Sequence, residues 1–194
     1  MSSQPDLAAH FAAMETLVES YGEGVNAEIA RGVFMMSPRP GVRHLATQGR
    51  LMAILSERLA RGGGSEPPDW LFLFEPEIRS ETAFSRLIPD IAGWRRSAGG
   101  WPDTEVNPIE IPPEWAAEVL SPGTVAFDRG PKKDAYGLMG VGWLWLLDVD
   151  RKSVETFSNE RGRMLPGPKL EAGQALVGPP FGDLSARVKD LFLD

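Results

Sequence analysis

The chain of 194 residues contains no cysteine and only two histidines, His10 and His44. Without cysteine it can form neither disulfides nor thiolate metal sites, so a bound metal would have to be held by oxygen atoms or imidazole. No apolar run reaches the roughly 18 residues that a membrane-spanning helix needs, and the N-terminal segment lacks the basic and then apolar order of a secretory signal. We therefore expect a cytoplasmic protein that favours hard cations.

Positive charge is also scarce, because 20 lysines and arginines face 27 acidic residues, for a net charge of -7. Non-specific binding to nucleic acid depends on clustered lysine and arginine, so the composition argues against sequence-independent binding over the whole surface. Binding through a local basic patch is still compatible with it. With 42% hydrophobic and 24% charged residues, the chain has the composition of one globular domain.

Apolar periodicity, interrupted by glycine and proline, predicts a mixed succession of helices and strands. We expect residues 1–25 to form an N-terminal helix and linker, and residues 26–194 to form a single domain. Residues 61–68 have the composition of a loop. The predicted helices cover residues 6–20, 42–59, 131–139 and 183–192; the predicted strands cover 27–36, 70–78, 87–94, 114–120, 143–147 and, as an edge strand, 153–157.

Two carboxylates stand in apolar, strand-like surroundings, Asp90 within the sequence LIPDIA and Glu118 within WAAEVL. A buried, unpaired carboxylate costs several kcal/mol or takes up a proton, so each acid needs a partner. Neighbouring strands could bring the two together around a divalent cation. Magnesium accepts two carboxylates, a carbonyl such as that of Val119, and several waters, and a bound water can become a nucleophile.

A lysine follows these acids at the start of a predicted helix. Asp128, Lys132 and Tyr136 recur every fourth residue and so lie along one side of that helix. Lys132 could reach back to Glu118, balance the negative charge, and orient the attacking water or stabilise a phosphate transition state. The alternative interpretation is an exposed ion pair with Asp128, worth little in free energy.

These residues, in this order, resemble the Uma-type restriction endonucleases of the PD-(D/E)xK nuclease superfamily. The resemblance runs from about Ala27 to the C-terminus. It implies a restriction-endonuclease-like α/β (α+β) core, in which a mixed β-sheet is flanked by helices, and hydrolysis of phosphodiester bonds in DNA with Mg²⁺ or Mn²⁺. It also implies that Asp90 and Glu118 are the metal ligands. The motifs that carry it are Pro89-Asp90, EVLSP from Glu118, DRGPK ending at Lys132, Tyr136, Gly140-Val141 and WLLD ending at Asp148.

One position departs from the superfamily pattern, in which a lysine stands two residues after the acid. That position is Leu120 here, and Lys132 would have to supply the ammonium group from the following helix. The resemblance also suggests accessory roles for four residues whose alternative roles are structural or surface positions: Glu28, His44, Glu77 and Tyr136.

Two other functions stay open from the residues alone. Leu120 and the acidic net charge favour a non-catalytic module that binds nucleic acid or protein on the same fold. The two acids could also act as general acid and base in another hydrolysis, such as glycoside cleavage, although Lys132 would then have no role. Because two strand breaks need two sites, a homodimer is an expected arrangement.

Overall fold

The structure, a computed structural model, describes residues 4–21, 26–60, 69–103 and 105–193. The predicted linker at 22–25 and the predicted loop at 61–68 lie outside the described residues. The helices are α1 (Gln4–Tyr21), α2 (Val42–Leu55), the single turn α3 (Val125–Phe127) and α4 (Lys133–Met139), with π-helical turns at Ser56–Ala60 and Asp128–Lys132 and a 3-10 turn at Val188–Leu191. The strands are β1 (Asn26–Ala30), β2 (Val33–Ser37), β3 (Trp70–Phe74), β4 (Ile78–Ser80), β5 (Ser85–Leu87), β6 (Ile91–Arg95), β7 (Trp115–Leu120), β8 (Trp143–Asp148), β9 (Ser153–Glu160), β10 (Arg163–Glu171), β11 (Ala175–Gly178) and β12 (Gly182–Arg187).

The strands form one large sheet and two smaller ones. The large sheet has six strands in the order β10-β9-β8-β7-β6-β3, and β7 and β8 run parallel while its other neighbours are antiparallel. A four-stranded antiparallel sheet has the order β2-β1-β5-β4, and β11 pairs with β12. The predicted mixed α+β architecture is therefore confirmed.

The two faces of β7 are both covered, which explains why all six of its residues are buried. Ala116 and Leu120 pack on the side of α4, whereas Trp115, Ala117 and Val119 pack on the side of α2. Side chains alternate along a strand, so Glu118 shares the α4 face with Ala116 and Leu120. Strand β7 thus holds a carboxylate inside an apolar layer.

The segments predicted as single strands at 70–78 and 87–94 each divide between two sheets. The first breaks after β3, where Glu75 has a φ of 45° and Pro76 follows. The second breaks at residues 88–90, between β5 of the four-stranded sheet and β6 of the six-stranded sheet. Both crossings lie together, since the Glu75 N–H donates to the Asp90 carbonyl at 3.2 Å. Asp90 consequently stands where the two sheets meet.

Three other predicted elements differ from the structure. Residues 27–36 form the hairpin β1–β2 rather than one strand, because Arg31 and Gly32 both adopt positive φ in a two-residue turn. Residues 183–192 are predicted as a helix, but half of them form β12, which pairs with β11, and only Val188–Leu191 form a helical (3-10) turn. Strand β9 is predicted as an edge strand but lies inside the sheet, and β10 forms the edge. Strand β10 contains Pro166 and Pro168, which have no N–H to donate, and an edge position tolerates that loss.

Helix α1 covers the four-stranded sheet. Its buried residues Phe11, Met14 and Val18 pack against Ala27 and Ile29 of β1. In the described part of the chain, no helix combines the length and the apolar character required to cross a bilayer.

Candidate active site

Six of the eight predicted site residues line a cavity of about 280 Å³ between the two larger sheets. Its walls come from the β1–β2 hairpin, the start of α2, the crossing at residues 88–90, the end of β7 and the segment 121–132. Eight of its nineteen lining residues are ionisable. Five are acidic, namely Glu28, Glu75, Asp90, Glu118 and Asp128, and three are basic, namely Arg39, His44 and Lys132.

Asp90 is held by both of its carboxylate oxygens. Oδ2 accepts the Val119 N–H at 2.6 Å, and Oδ1 lies 2.8 Å from Nε2 of His44. Because a carboxylate can only accept, Nε2 is the donor in this contact. Gln48, one turn further along α2, donates to the Asp90 carbonyl at 2.7 Å. Helix α2 and strand β7 therefore fix both the side chain and the backbone of Asp90.

Glu118 shares one oxygen between two donors from the segment that follows β7. Lys132 Nζ lies 2.9 Å from Oε1 of Glu118, and the Tyr136 hydroxyl donates to the same atom. The ammonium also lies 2.7 Å from Oε1 of Glu28 and donates to the Ile88 carbonyl at 3.0 Å. Lys132 thus makes one hydrogen bond, to the Ile88 carbonyl, and two ion pairs, with Glu28 and Glu118. Lys132 therefore joins β1, β7 and the crossing segment through one buried cation.

Burial and charge shift the pKa values of this cluster. Burial raises the pKa of Glu118 well above its usual range, and nearby Asp90 and Asp128 add to that effect, while Lys132 opposes it. Burial alone would lower the pKa of Lys132, but the surrounding carboxylates, led by Glu118, outweigh burial and raise it. Lys132 is therefore a permanent cation and does not serve as a proton acceptor. Burial also raises the pKa of Tyr136, so its hydroxyl remains a donor.

Asp128 is a further buried acid in the cavity wall, 4% exposed, in the π-helical turn that leads to Lys132. Burial raises the pKa of Asp128 from 3.8 to about 6, against the opposing effects of Lys132 and a hydrogen bond from Thr124. Between these two pKa values Asp128 is deprotonated in the unfolded chain but still protonated in the folded protein. The free energy of unfolding therefore falls as pH rises through this range. Above about pH 6 the full destabilisation caused by the buried, ionised Asp128 is present.

The Asp128→Asn variant is expected to be more stable than the unmodified protein at pH 8 and nearly equal to it at pH 3.5. The expected gain at pH 8 is roughly 2–3 kcal/mol, from a shift of about two pKa units at 1.36 kcal/mol per unit. Urea unfolding of both proteins with EDTA at the two pH values measures the difference. A difference that does not change with pH would contradict the assignment of this shift to Asp128.

His44 is partly enclosed, and within the described residues its Nδ1 atom is buried without a hydrogen-bond partner. Burial lowers the pKa of His44, but the hydrogen bond and charge of Asp90, with Glu75 and Asp128, more than offset it and raise the pKa above 6.5. Its contact is with Asp90 and not with Glu118. The structure thus brings His44 to the site as a support for a predicted metal ligand.

The predicted accessory residues do not all lie at the cavity. Glu28 lines it, 4% exposed, and accepts the Ile88 N–H at 2.8 Å, and Tyr136 reaches it through Glu118. Glu77 lies elsewhere and pairs with Arg86 at 2.5 Å. Other lining or supporting residues were not predicted as site residues, namely Arg39, Gln48, Glu75, Ser121, Thr124 and Asp128. Gln48 had a signal, because it lies four residues after His44 and so on the same helix face.

Comparisons with known families and structures identify the family and the fold of this chain. A family model described as "Putative restriction endonuclease", Uma2, matches residues 9–189. The chain belongs to the Uma2 family. No curated protein gave a match to this Uma2 chain. Among solved structures, the Uma2 chain is similar to a crystal structure of "a putative nuclease belonging to DUF820" from Anabaena variabilis ATCC 29413, with 20% identity and a TM-score of 0.66. The match covers 86% of this chain and 89% of the other, and it establishes the fold.

The donor set of the Uma2 site suits a hard cation. Within the described residues, no three acidic or histidine side chains converge as a ready-made metal cage. Magnesium does not require one, because it commonly binds through one or two carboxylates and retains several waters. Asp90 and Glu118 are carboxylates on the wall of one cavity that has room for such waters. The residues present therefore fit a partly hydrated Mg²⁺ or Mn²⁺.

Proposed function

We propose that this protein is a Mg²⁺- or Mn²⁺-dependent DNA endonuclease that hydrolyses phosphodiester bonds. The observation that carries the proposal is the convergence of Asp90, Glu118 and Lys132 on one cavity, with Lys132 Nζ only 2.9 Å from Glu118. Membership of the Uma2 family supports it. The proposed unit is residues 26–194, with residues 1–25 as an N-terminal helix and linker. A cytoplasmic location and a homodimer remain predictions.

In this proposal Asp90 and Glu118 hold the cation, with the carbonyl of Val119 as a further ligand. The Val119 N–H points to Asp90, and in a strand the N–H and C=O of one residue face the same neighbour. That orientation supports a carbonyl directed toward Asp90. When bound, the cation would lower the pKa of a coordinated water and offset the charge of the phosphate.

The remaining residues orient and balance this pair. His44 and the Val119 N–H fix the two oxygens of Asp90, as partners of a ligand commonly do. Lys132 and Tyr136 hold Oε1 of Glu118, so Oε2 would be the oxygen that binds the cation. Lys132 assists the attacking water through its charge and through the position it gives Glu118, because it is buried and already paired with two carboxylates. Its ammonium thus replaces the lysine that the superfamily pattern places at Leu120.

A plasmid-cleavage assay tests this function. Purified protein is expected to nick or cut supercoiled DNA with Mg²⁺ or Mn²⁺, to stop when EDTA is added, and to recover when the cation is restored in excess. Because the proposed nucleophile arises at the cation, activity should follow its concentration to saturation. Cleavage that continues at full rate in EDTA would overturn the proposal.

The alternative is a non-catalytic module that binds nucleic acid or protein on the same fold. The observation that favours it is the enclosure of Lys132, whose ammonium already contacts two carboxylates and a carbonyl of the protein. Calorimetric titration with Mg²⁺ and Mn²⁺, with and without DNA, separates the two functions. Saturable binding supports the nuclease, whereas a chain that binds DNA but no divalent cation supports the module.

A further inference from the structure

A substrate that carries phosphate groups meets a strongly acidic cavity in this protein. Five carboxylates line it, against the cations Arg39 and Lys132 and the imidazole of His44. A phosphodiester therefore needs a cationic contact at the entrance as well as a metal ion at the floor. The question is which side chain still has N–H donors to offer.

Lys132 and His44 are already committed. Lys132 forms ion pairs with Glu28 and Glu118 and donates to the Ile88 carbonyl, and Nε2 of His44 donates to Asp90. Both are also enclosed, with side chains 3% and 15% exposed. Neither can turn toward a substrate without abandoning a carboxylate in the cavity wall.

Arg39 differs in each of these respects. It lines the same cavity, is exposed to solvent, and within the described residues has no hydrogen bond or ion pair with another side chain. Arg43, four residues further along the chain, is by contrast paired with Asp150 at 2.8 Å and with the Val149 carbonyl at 2.9 Å. Among the cations of the cavity wall, Arg39 is thus the one whose guanidinium remains available.

The backbone around Arg39 also restricts where its side chain can reach. It stands between Pro38 and Pro40, in the connection from β2 to α2. Proline fixes its own φ, and the residue that precedes a proline is confined to extended conformations. The loop therefore presents Arg39 at the entrance with little backbone entropy left to lose on binding.

We propose that Arg39 binds a backbone phosphate of the DNA strand that enters this cavity. The planar guanidinium matches two phosphate oxygens at once, which a single ammonium does not. Arg39 is then a substrate-binding residue that places the strand over Asp90 and Glu118. This inference rests on the proposed nuclease function for its substrate class, but it concerns binding and not the chemical step.

The test is the binding of a fluorescein-labelled 20-base-pair DNA duplex, measured by anisotropy in EDTA at several salt concentrations. Arg39→Ala is expected to raise the Kd roughly tenfold, as loss of a charge-assisted contact does, and to reduce the salt slope by about one. Arg39→Lys should retain the slope and bind with intermediate Kd. Arg161→Ala is the matched control, because it removes one exposed arginine away from the cavity.

Two results would overturn the inference: an Arg39→Ala protein that binds the duplex as Arg161→Ala does, or an unmodified protein that does not bind it at all. Cleavage assays on the same proteins keep this outcome separate from the proposed function. Arg39-dependent binding without Mg²⁺-dependent cleavage would retain the binding site and reject the nuclease. Cleavage by the unmodified protein and by Arg39→Ala with equal KM would retain the nuclease and reject Arg39 as a binding residue.

Discussion

Replacement of Asp90 by asparagine is expected to slow Mg²⁺-dependent DNA cleavage by at least ~10³-fold. Metal assistance supplies several kcal/mol of transition-state stabilisation, and each 1.36 kcal/mol changes the rate tenfold. Asparagine has nearly the shape of aspartate and still offers one acceptor for the Val119 N–H, so the fold should persist. The loss would then reflect the missing negative charge at the metal and not a disordered crossing segment. Initial rates of plasmid nicking over a range of Mg²⁺ concentrations measure it.

The matched control is Asp150→Asn, which removes an aspartate that is 70% exposed and pairs with Arg43 outside the cavity. It should cleave as the unmodified protein does. Glu118→Gln should lose activity to a similar extent as Asp90→Asn, since both acids are assigned to one cation. If Asp90→Asn and Glu118→Gln both retain cleavage within a few-fold of Asp150→Asn, these carboxylates do not form the active site.

Replacement of Lys132 by methionine is expected to lower the free energy of unfolding by about 3–5 kcal/mol at pH 8, and also to abolish cleavage. Removal of one partner from a buried ion pair leaves an uncompensated charge, and that cost is typically of this size. Here the ammonium faces two carboxylates, Glu28 at 2.7 Å and Glu118 at 2.9 Å, so two charges lose their partner. Urea unfolding in EDTA measures the loss.

A neighbouring lysine provides the control. Lys133→Met removes a partly exposed lysine whose ammonium lies over the Phe157 ring at 5.6 Å, and it should cost less than about 1 kcal/mol. The cost of Lys132→Met should fall when Glu28→Gln and Glu118→Gln are added, because the charges left unpaired are then removed as well. Equal stability losses for Lys132→Met and Lys133→Met would show that the cluster does not depend on the Lys132 charge.

Several charged residues of the candidate site could be predicted from sequence because their surroundings conflict with their charge. Asp90 and Glu118 occur among apolar strand residues, where a carboxylate needs a partner. The four-residue spacing of Asp128, Lys132 and Tyr136 also placed three polar groups on one side of a helix. In the structure, two of them reach Glu118, and the third lines the same cavity.

What the sequence did not reveal depends on long-range contacts. Glu28 resembles an ordinary strand residue, and only the approach of β1 to the crossing at 88–90 buries it beside Lys132. Glu75 and Glu77 flank Pro76 almost symmetrically in sequence, yet the bend there turns Glu75 toward the cavity and Glu77 toward Arg86. Local propensity carries no information about which side of such a bend faces the site.

The two elements whose conformation was predicted wrongly, the β1–β2 turn and the tail, also depend on contacts that the local sequence does not show. The β1–β2 turn uses Arg31-Gly32 instead of the Asn-Gly or Asp-Gly pairs that normally signal a tight hairpin. In the tail, Leu184, Val188 and Leu191 have helical spacing and are buried, but pairing with β11 draws the first of them into a strand. A sequence pattern of apolar residues records burial, and the neighbouring strand decides the conformation.

Asp90 and Glu118 are proposed to bind one catalytic divalent cation, and a crystal soaked in Mn²⁺ would reveal that cation. We expect an anomalous difference peak within about 2.3 Å of one oxygen of each carboxylate, with the Val119 carbonyl facing the peak and waters completing the coordination. Crystals of Asp90→Asn soaked in the same way should lack it. A fully occupied Mn²⁺ bound elsewhere, or a soaked crystal with no peak between Asp90 and Glu118, would contradict the claim.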